Sequence, residues 1–202
     1  MSYDIGFNFR ATSGYVTDPS NTTYALGNAY PVTRSMVTSG LSVTFGFLTA
    51  DLLTYERDRD SGVDPRLAGC IQVNSAAVSD QTFRVDVPSS GSVDVSLAFG
   101  DASFGSDSSW QILDSDGTTV LSSQTGATTT TGQFRDATAV TRSNSADWVS
   151  NNAVVSVTLS GTIFYLKLIA TAGVTKASHL RIYQAGGGGS PTSYYLSDTV
   201  EM

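Results

Sequence analysis

Apolar and polar residues alternate with a period of two along most of this chain. Tyr3, Ile5, Phe7 and Phe9 are interleaved with Asp4, Gly6 and Asn8, and Arg10 follows, the pattern of a half-buried first strand. Leu41, Val43, Phe45 and Phe47 repeat it. Phe83-Arg-Val-Asp-Val and Val93-Asp-Val-Ser-Leu-Ala-Phe alternate most cleanly, and Pro88-Ser-Ser-Gly91 between them predicts a hairpin. A second hairpin is predicted from Trp110-Gln-Ile-Leu and Thr119-Val-Leu around Asp114-Ser-Asp-Gly117. A third joins Val154, Val157 and Leu159 to the run Ile163–Ile169 across Ser160-Gly161. Phe134 anchors a short candidate between Gly132 and Val140. Leu180 and Ile182 close the series, with His179, Arg181 and Tyr183 on the opposite face.

The pattern predicts about ten strands and no helix of three turns. Residues 11–40, rich in Thr, Ser, Asn, Gly and Pro, read as a long ordered loop or a set of short edge segments. Strands at this spacing, divided by Gly and Ser turns, predict an all-β, two-sheet jelly-roll β-sandwich over residues 1–184. Residues 185–191 (Ala-Gly-Gly-Gly-Gly-Ser-Pro) then read as a hinge, and 192–202 as a C-terminal arm. Tyr194, Tyr195, Leu196 and Val200 are the apolar groups with which such an arm adds to a neighbouring subunit's sheet. A frayed terminus and an engineered linker are the competing readings.

Composition narrows the chemistry. Among 202 residues there is one histidine (His179), one cysteine (Cys70) and two lysines, Lys167 and Lys176. Histidine-based triads, structural zinc sites and Schiff-base lysines need residues this chain barely has. A chain this long buries roughly 70% of its unfolded surface and folds without a disulfide. Cys70, between Gly69 and Ile71, reads as a small core residue, with a reactive or intermolecular thiol as the alternative. The net charge of −7, from 11 basic and 18 acidic side chains, disfavours nucleic acid. Only 14% of residues are charged, so the polar surface is mostly hydroxyl and amide, suited to neutral hydroxylated ligands or to other proteins. The first residues have no basic and apolar leader pattern, and no apolar run approaches the ~20 residues that span a bilayer. Synthesis in a cytoplasm and no membrane partner are the expectations.

The most site-like segment is Tyr55 with Arg57, Asp58, Arg59 and Asp60, followed by Asp64 and Arg66. Guanidinium forks and carboxylates grip paired sugar hydroxyls while an aromatic ring covers an apolar sugar face. An ion-pair network pinning a long loop is the alternative. No resident cofactor is expected beyond a candidate calcium ion held by Asp101 and Asp107 at a loop end, with an Asx turn as the competing reading. Asp114 and Asp116 read as turn residues, with the start of a calcium loop that lacks its closing Glu as the alternative. A nucleophile elbow, a phosphate loop and a zinc-protease pair are all missing, and spacing alone singles out no carboxylate pair for glycoside hydrolysis. The expectation is a protein that is not an enzyme.

Tyr3–Arg10 with Gly14-Tyr-Val-Thr-Asp-Pro19, Val43-Thr-Phe-Gly-Phe47, Arg57-Asp-Arg-Asp60 and the long alternation from Phe83 to Asp101 together resemble the galactose-binding-like β-sandwich family. The resemblance is to its malectin-like and carbohydrate-binding-module branches, and it spans about residues 3–183. It implies a sandwich that binds sugars. The usual secreted context and catalytic neighbour are missing, so a phage virion component is the expected setting. The expected function is a non-catalytic capsid decoration (cement) or fibre module in a virion. Its partners would be a major capsid or tail protein, a second copy of itself and surface glycans. A stand-alone carbohydrate-binding module is the alternative, and a small carbohydrate-active hydrolase the third reading.

Overall fold

In a computed structural model the protein is described over residues 2–10, 22–25, 29–36, 40–49, 56–58, 63–74, 80–171 and 173–184. The strands are β1 (Tyr3–Phe9), β2 (Thr22–Ala25), β3 (Val32–Ser35), β4 (Ser42–Phe47), β5 (Glu56–Asp58), β6 (Gly69–Val73), β7 (Gln81–Asp86) and β8 (Gly91–Gly100). They continue with β9 (Ser106–Leu113), β10 (Val120–Thr129), β11 (Phe134–Arg135), β12 (Thr141–Arg142), β13 (Val155–Leu159), β14 (Ile163–Leu168) and β15 (Thr175–Gln184). One helix, α1 (Ser145–Asn151), and a 3-10 turn at Pro65–Leu67 complete the described elements. No helix among the described residues is long and apolar enough to cross a membrane.

The strands form a two-layered all-β sandwich. In the first sheet β15 is central: β1 and β6 share one of its edges and β8 takes the other, with β13 and β11 beyond β8. The second sheet runs β10-β9-β14-β7-β4-β3. A single parallel bridge, Thr175 to Asp107, ties the two at a corner. Their inner faces meet in an aromatic cluster. Phe7 and Phe9 from β1 reach Phe83 at ring-centroid distances of 5.1 and 5.2 Å, edge-on, and Phe7 lies 4.7 Å from Phe45. Each such pair contributes ~0.5–1.5 kcal/mol beyond burial. Phe7, Phe9, Phe45, Val85, Val95, Leu97, Leu166 and Leu168 lie in one core, as their inward-facing alternation requires.

Two predicted hairpins are corrected. β7 pairs with β4 and β14, whereas β8 pairs with β15, β13 and β11, so Pro88–Ser90 carries the chain from one sheet to the other. The step from β13 to β14 does the same at Ser160-Gly161. Alternation specifies which face of a strand is buried and says nothing about its neighbour. The β9–β10 hairpin is as expected, with Val120 opposite Leu113 and a turn closed by Gly117 N–H donating to the Asp114 carbonyl at 2.8 Å. The chain also holds 15 described strands against the ten expected, because two-residue pieces such as β11 and β12 carry no periodicity.

The outer face of the first sheet is covered. α1 and the 3-10 turn lay Trp148 and Leu67 over Ala98, with Phe134, in a small second core. The Trp148 indole N–H donates to the Leu97 carbonyl at 3.1 Å and its ring meets His179 edge-on at 5.4 Å. The second sheet's outer face carries no such layer among the described residues.

Candidate binding site

The open face is built from the polar halves of three alternating strands. In β7 the inward Phe83 and Val85 leave Thr82, Arg84 and Asp86 outward; in β14 the inward Phe164, Leu166 and Leu168 leave Ile163, Tyr165 and Lys167 outward. Register puts Arg84 opposite Tyr165, and Lys167 opposite Gln111 of β9. The fourth contributor is Tyr30. An isolated bridge between Ala29 and Phe47 draws that segment across Gly46 of β4. A Cβ at Gly46 would lie 2.6 Å from the Tyr30 backbone nitrogen, and its φ of +148° suits only glycine, so this position is what lets Tyr30 reach the face.

Tyr30, Arg84 and Asp86 lock together. The Tyr30 hydroxyl donates to Asp86 Oδ2 at 2.7 Å, Arg84 Nε donates to Asp86 Oδ1 at 2.8 Å, and the guanidinium lies over the Tyr30 ring at 4.3 Å. The hydrogen bond to Asp86, with desolvation behind it, pushes the Tyr30 phenol above its ordinary value, so it stays a donor. Beside this trio Lys167 Nζ meets Asp80 Oδ2 at 2.9 Å, while Asp80 Oδ1 accepts from Ala170 N–H at 2.8 Å. Desolvation opposes ionisation of Asp80, but the Ala170 and Lys167 contacts outweigh it and hold the carboxyl below the usual range. Both cations on this face therefore sit against carboxylates. The result is a polar surface of directed donors and acceptors with little net charge, in which Tyr30, Arg84 and Asp86 are half-buried and Tyr165 beside them is 9% exposed.

The residues singled out in the sequence lie elsewhere. Arg57 is on β5, opposite Cys70 in β6; Asp58 ends that strand, with its side chain outside the described residues. Tyr55, Arg59 and Asp60 lie outside the described residues, as do Tyr194, Tyr195, Leu196 and Val200 of the arm. Arg66 pairs with Asp64 at 2.7 Å, which pins the 3-10 turn. Asp101 is 1% exposed and its Oδ1 accepts from Ser103 N–H at 2.8 Å, the Asx turn weighed against calcium. The cation beside it is the Lys176 ammonium, 3.1 Å from Oδ2, while Asp107 Oδ2 accepts from the Thr171 hydroxyl at 2.5 Å. Each carboxylate is thus engaged by donors of the chain, and among the described residues no three His, Cys, Asp or Glu side chains gather as a metal site. Cys70 is fully buried. The structure does bring the two predicted regions together, because Arg57 faces Cys70, whose sulfur is 3.8 Å from Asp101.

Nothing in the sequence marks Tyr30, Arg84, Asp86 and Tyr165 as a site. Arg84 and Asp86 were legible as the outward half of an alternating strand. That they share a face with Tyr165 and Tyr30 follows only from strand order.

No family model matches this chain, and no curated protein does. Among solved structures it is similar to Arthrobacter globiformis T6 isomalto-dextranase complexed with panose, at 15% identity and a TM-score of 0.37. That alignment covers 69% of this chain and spans only 23% of the enzyme's length.

Proposed function

We propose that this protein is a non-catalytic sugar-binding β-sandwich whose ligand lies across the open face of the second sheet. The observation that carries the reading is the Tyr30–Arg84–Asp86 trio set beside Tyr165. Guanidinium and carboxylate groups held rigidly on a sheet offer the paired donors and acceptors that vicinal hydroxyls match, and no conformational entropy is lost in arranging them. The terminal amino groups of Arg84 are not engaged by any described residue, and each Asp86 oxygen keeps a lone pair for a ligand hydroxyl. Because Arg84 and Lys167 are each paired with a carboxylate, the face favours neutral glycans over acidic ones.

The test is a glycan array followed by titration of the best hit. Arg84→Ala and Tyr30→Phe should each weaken binding about 10-fold or more, the value of one or two lost hydrogen bonds to a ligand. Their melting temperatures should stay close to that of the parent. An array without a neutral-glycan hit, or variants that bind as the parent does, would overturn the reading.

A further inference from the structure

On the opposite side of the molecule a lysine, an aspartate and a cysteine converge out of contact with water. Lys176 is 4% exposed, Asp101 1% and Cys70 0%. Lys176 Nζ lies 3.1 Å from Asp101 Oδ2 and donates to the Gly105 carbonyl at 2.8 Å, with the Phe104 ring 5.3 Å away. The two oxygens of Asp101 are differentiated. Oδ1 accepts the Ser103 backbone N–H at 2.8 Å, whereas Oδ2 receives both the lysine and the Cys70 thiol, 3.8 Å distant. The Cys70 sulfur in turn accepts from Gln72 Nε2 at 3.9 Å.

We propose that Lys176 and Asp101 condense to an intramolecular amide. The ammonium passes a proton to the carboxylate, leaving a neutral amine against a neutral acid. The Nζ lone pair then attacks Cγ, and the charge that develops on Oδ1 falls on the Ser103 N–H, placed as an oxyanion donor. Cys70 gives its proton to the departing Oδ2 and regains one from the amide nitrogen. The Nζ–Cγ bond forms, the Cγ–Oδ2 bond breaks, one water leaves, and nothing is oxidised or reduced. Two features favour the product. Holding an ion pair in a dry interior carries a desolvation penalty that a neutral amide removes. Burial also keeps out the water that would reverse the step. The bond would close a loop of 75 residues between the β8–β9 connection and β15, which restrains the unfolded chain.

Mass spectrometry of the purified full chain decides it. With N-terminal processing accounted for, the parent should be lighter than its sequence by one water, and a tryptic digest should contain the Asp101 and Lys176 peptides joined. Lys176→Arg keeps the charge pair but supplies no amine, so its mass should equal its sequence mass. Asp101→Ala should behave likewise, and both should melt at lower temperature. Cys70→Ala should fold but cross-link more slowly; an unchanged rate would overturn the role given to the thiol. A parent chain at full sequence mass, with the two peptides separate after prolonged incubation, would overturn the proposal itself. Glycan binding is read on the other sheet, so the two proposals fail independently.

Discussion

His179 shows how far a single residue's surroundings set its chemistry. Its ring is buried against Trp148 and its Nδ1 lies 3.1 Å from Asn8 Oδ1, which makes Nδ1 the protonated nitrogen of a neutral imidazole. Burial first, and then the charges of Arg66 and Arg181, hold its pKa well below the ordinary 6.5. The unfolded chain therefore takes up this proton at a pH where the folded protein refuses it. Stability is full above about 6.5 and falls as the pH drops below it, by up to ~1.4 kcal/mol per pH unit for one proton, until the folded form itself titrates. Denaturation midpoints measured between pH 7 and pH 5 (roughly the window below the unfolded pKa) should show this slope. His179→Gln should flatten it; an equal slope in both proteins would assign the effect to other groups.

At the scale of elements, β7 holds the layers together through Phe83. Its ring lies 5.1 and 5.2 Å from Phe7 and Phe9 of the facing sheet, and 5.9 and 4.9 Å from Phe45 and Phe47 beside it. Removing it leaves a cavity between layers that cannot collapse without moving two sheets. Phe83→Ala should cost about 3–5 kcal/mol in chemical denaturation, and a loss below about 1 kcal/mol would mean the cluster repacks. The helix α1 works differently. Asn144 caps it by accepting from Asp147 N–H at 2.9 Å, and one buried side chain, Trp148, docks it. Seven residues anchored by Trp148, with Val149 partly buried beside it, offer no periodicity to detect.

At the scale of the molecule, the sandwich has one covered outer face and one open one. Every described strand lies before residue 185, and Gln184 seals the inter-sheet turn by donating from Nε2 to the Ser90 carbonyl at 3.0 Å. With 185–191 as a hinge outside the sandwich, as we propose from the sequence, removing residues 185–202 should leave the melting temperature unchanged. If 192–202 is the assembly arm expected from its Tyr194, Tyr195, Leu196 and Val200, as we propose, the truncated chain should sediment as a smaller species or lose attachment to a capsid or tail partner. Unchanged sedimentation and attachment would remove that role.

Which residues face the core was determined by the sequence alone. Phe7, Phe45, Val85 and Leu97 are buried because side chains alternate across a strand whatever that strand pairs with. The β9–β10 turn was likewise local, since Asp114-Ser-Asp-Gly117 carries its own hydrogen bonds. Only the tertiary structure decided which strands are neighbours, because pairing depends on the whole set of strands competing for edges. That is why Phe83–Val87 and Val93–Phe99 part into different sheets, and why Arg84, Tyr165 and Tyr30, far apart in the chain, share one surface. It is also why Asp101 faces a lysine 75 positions away.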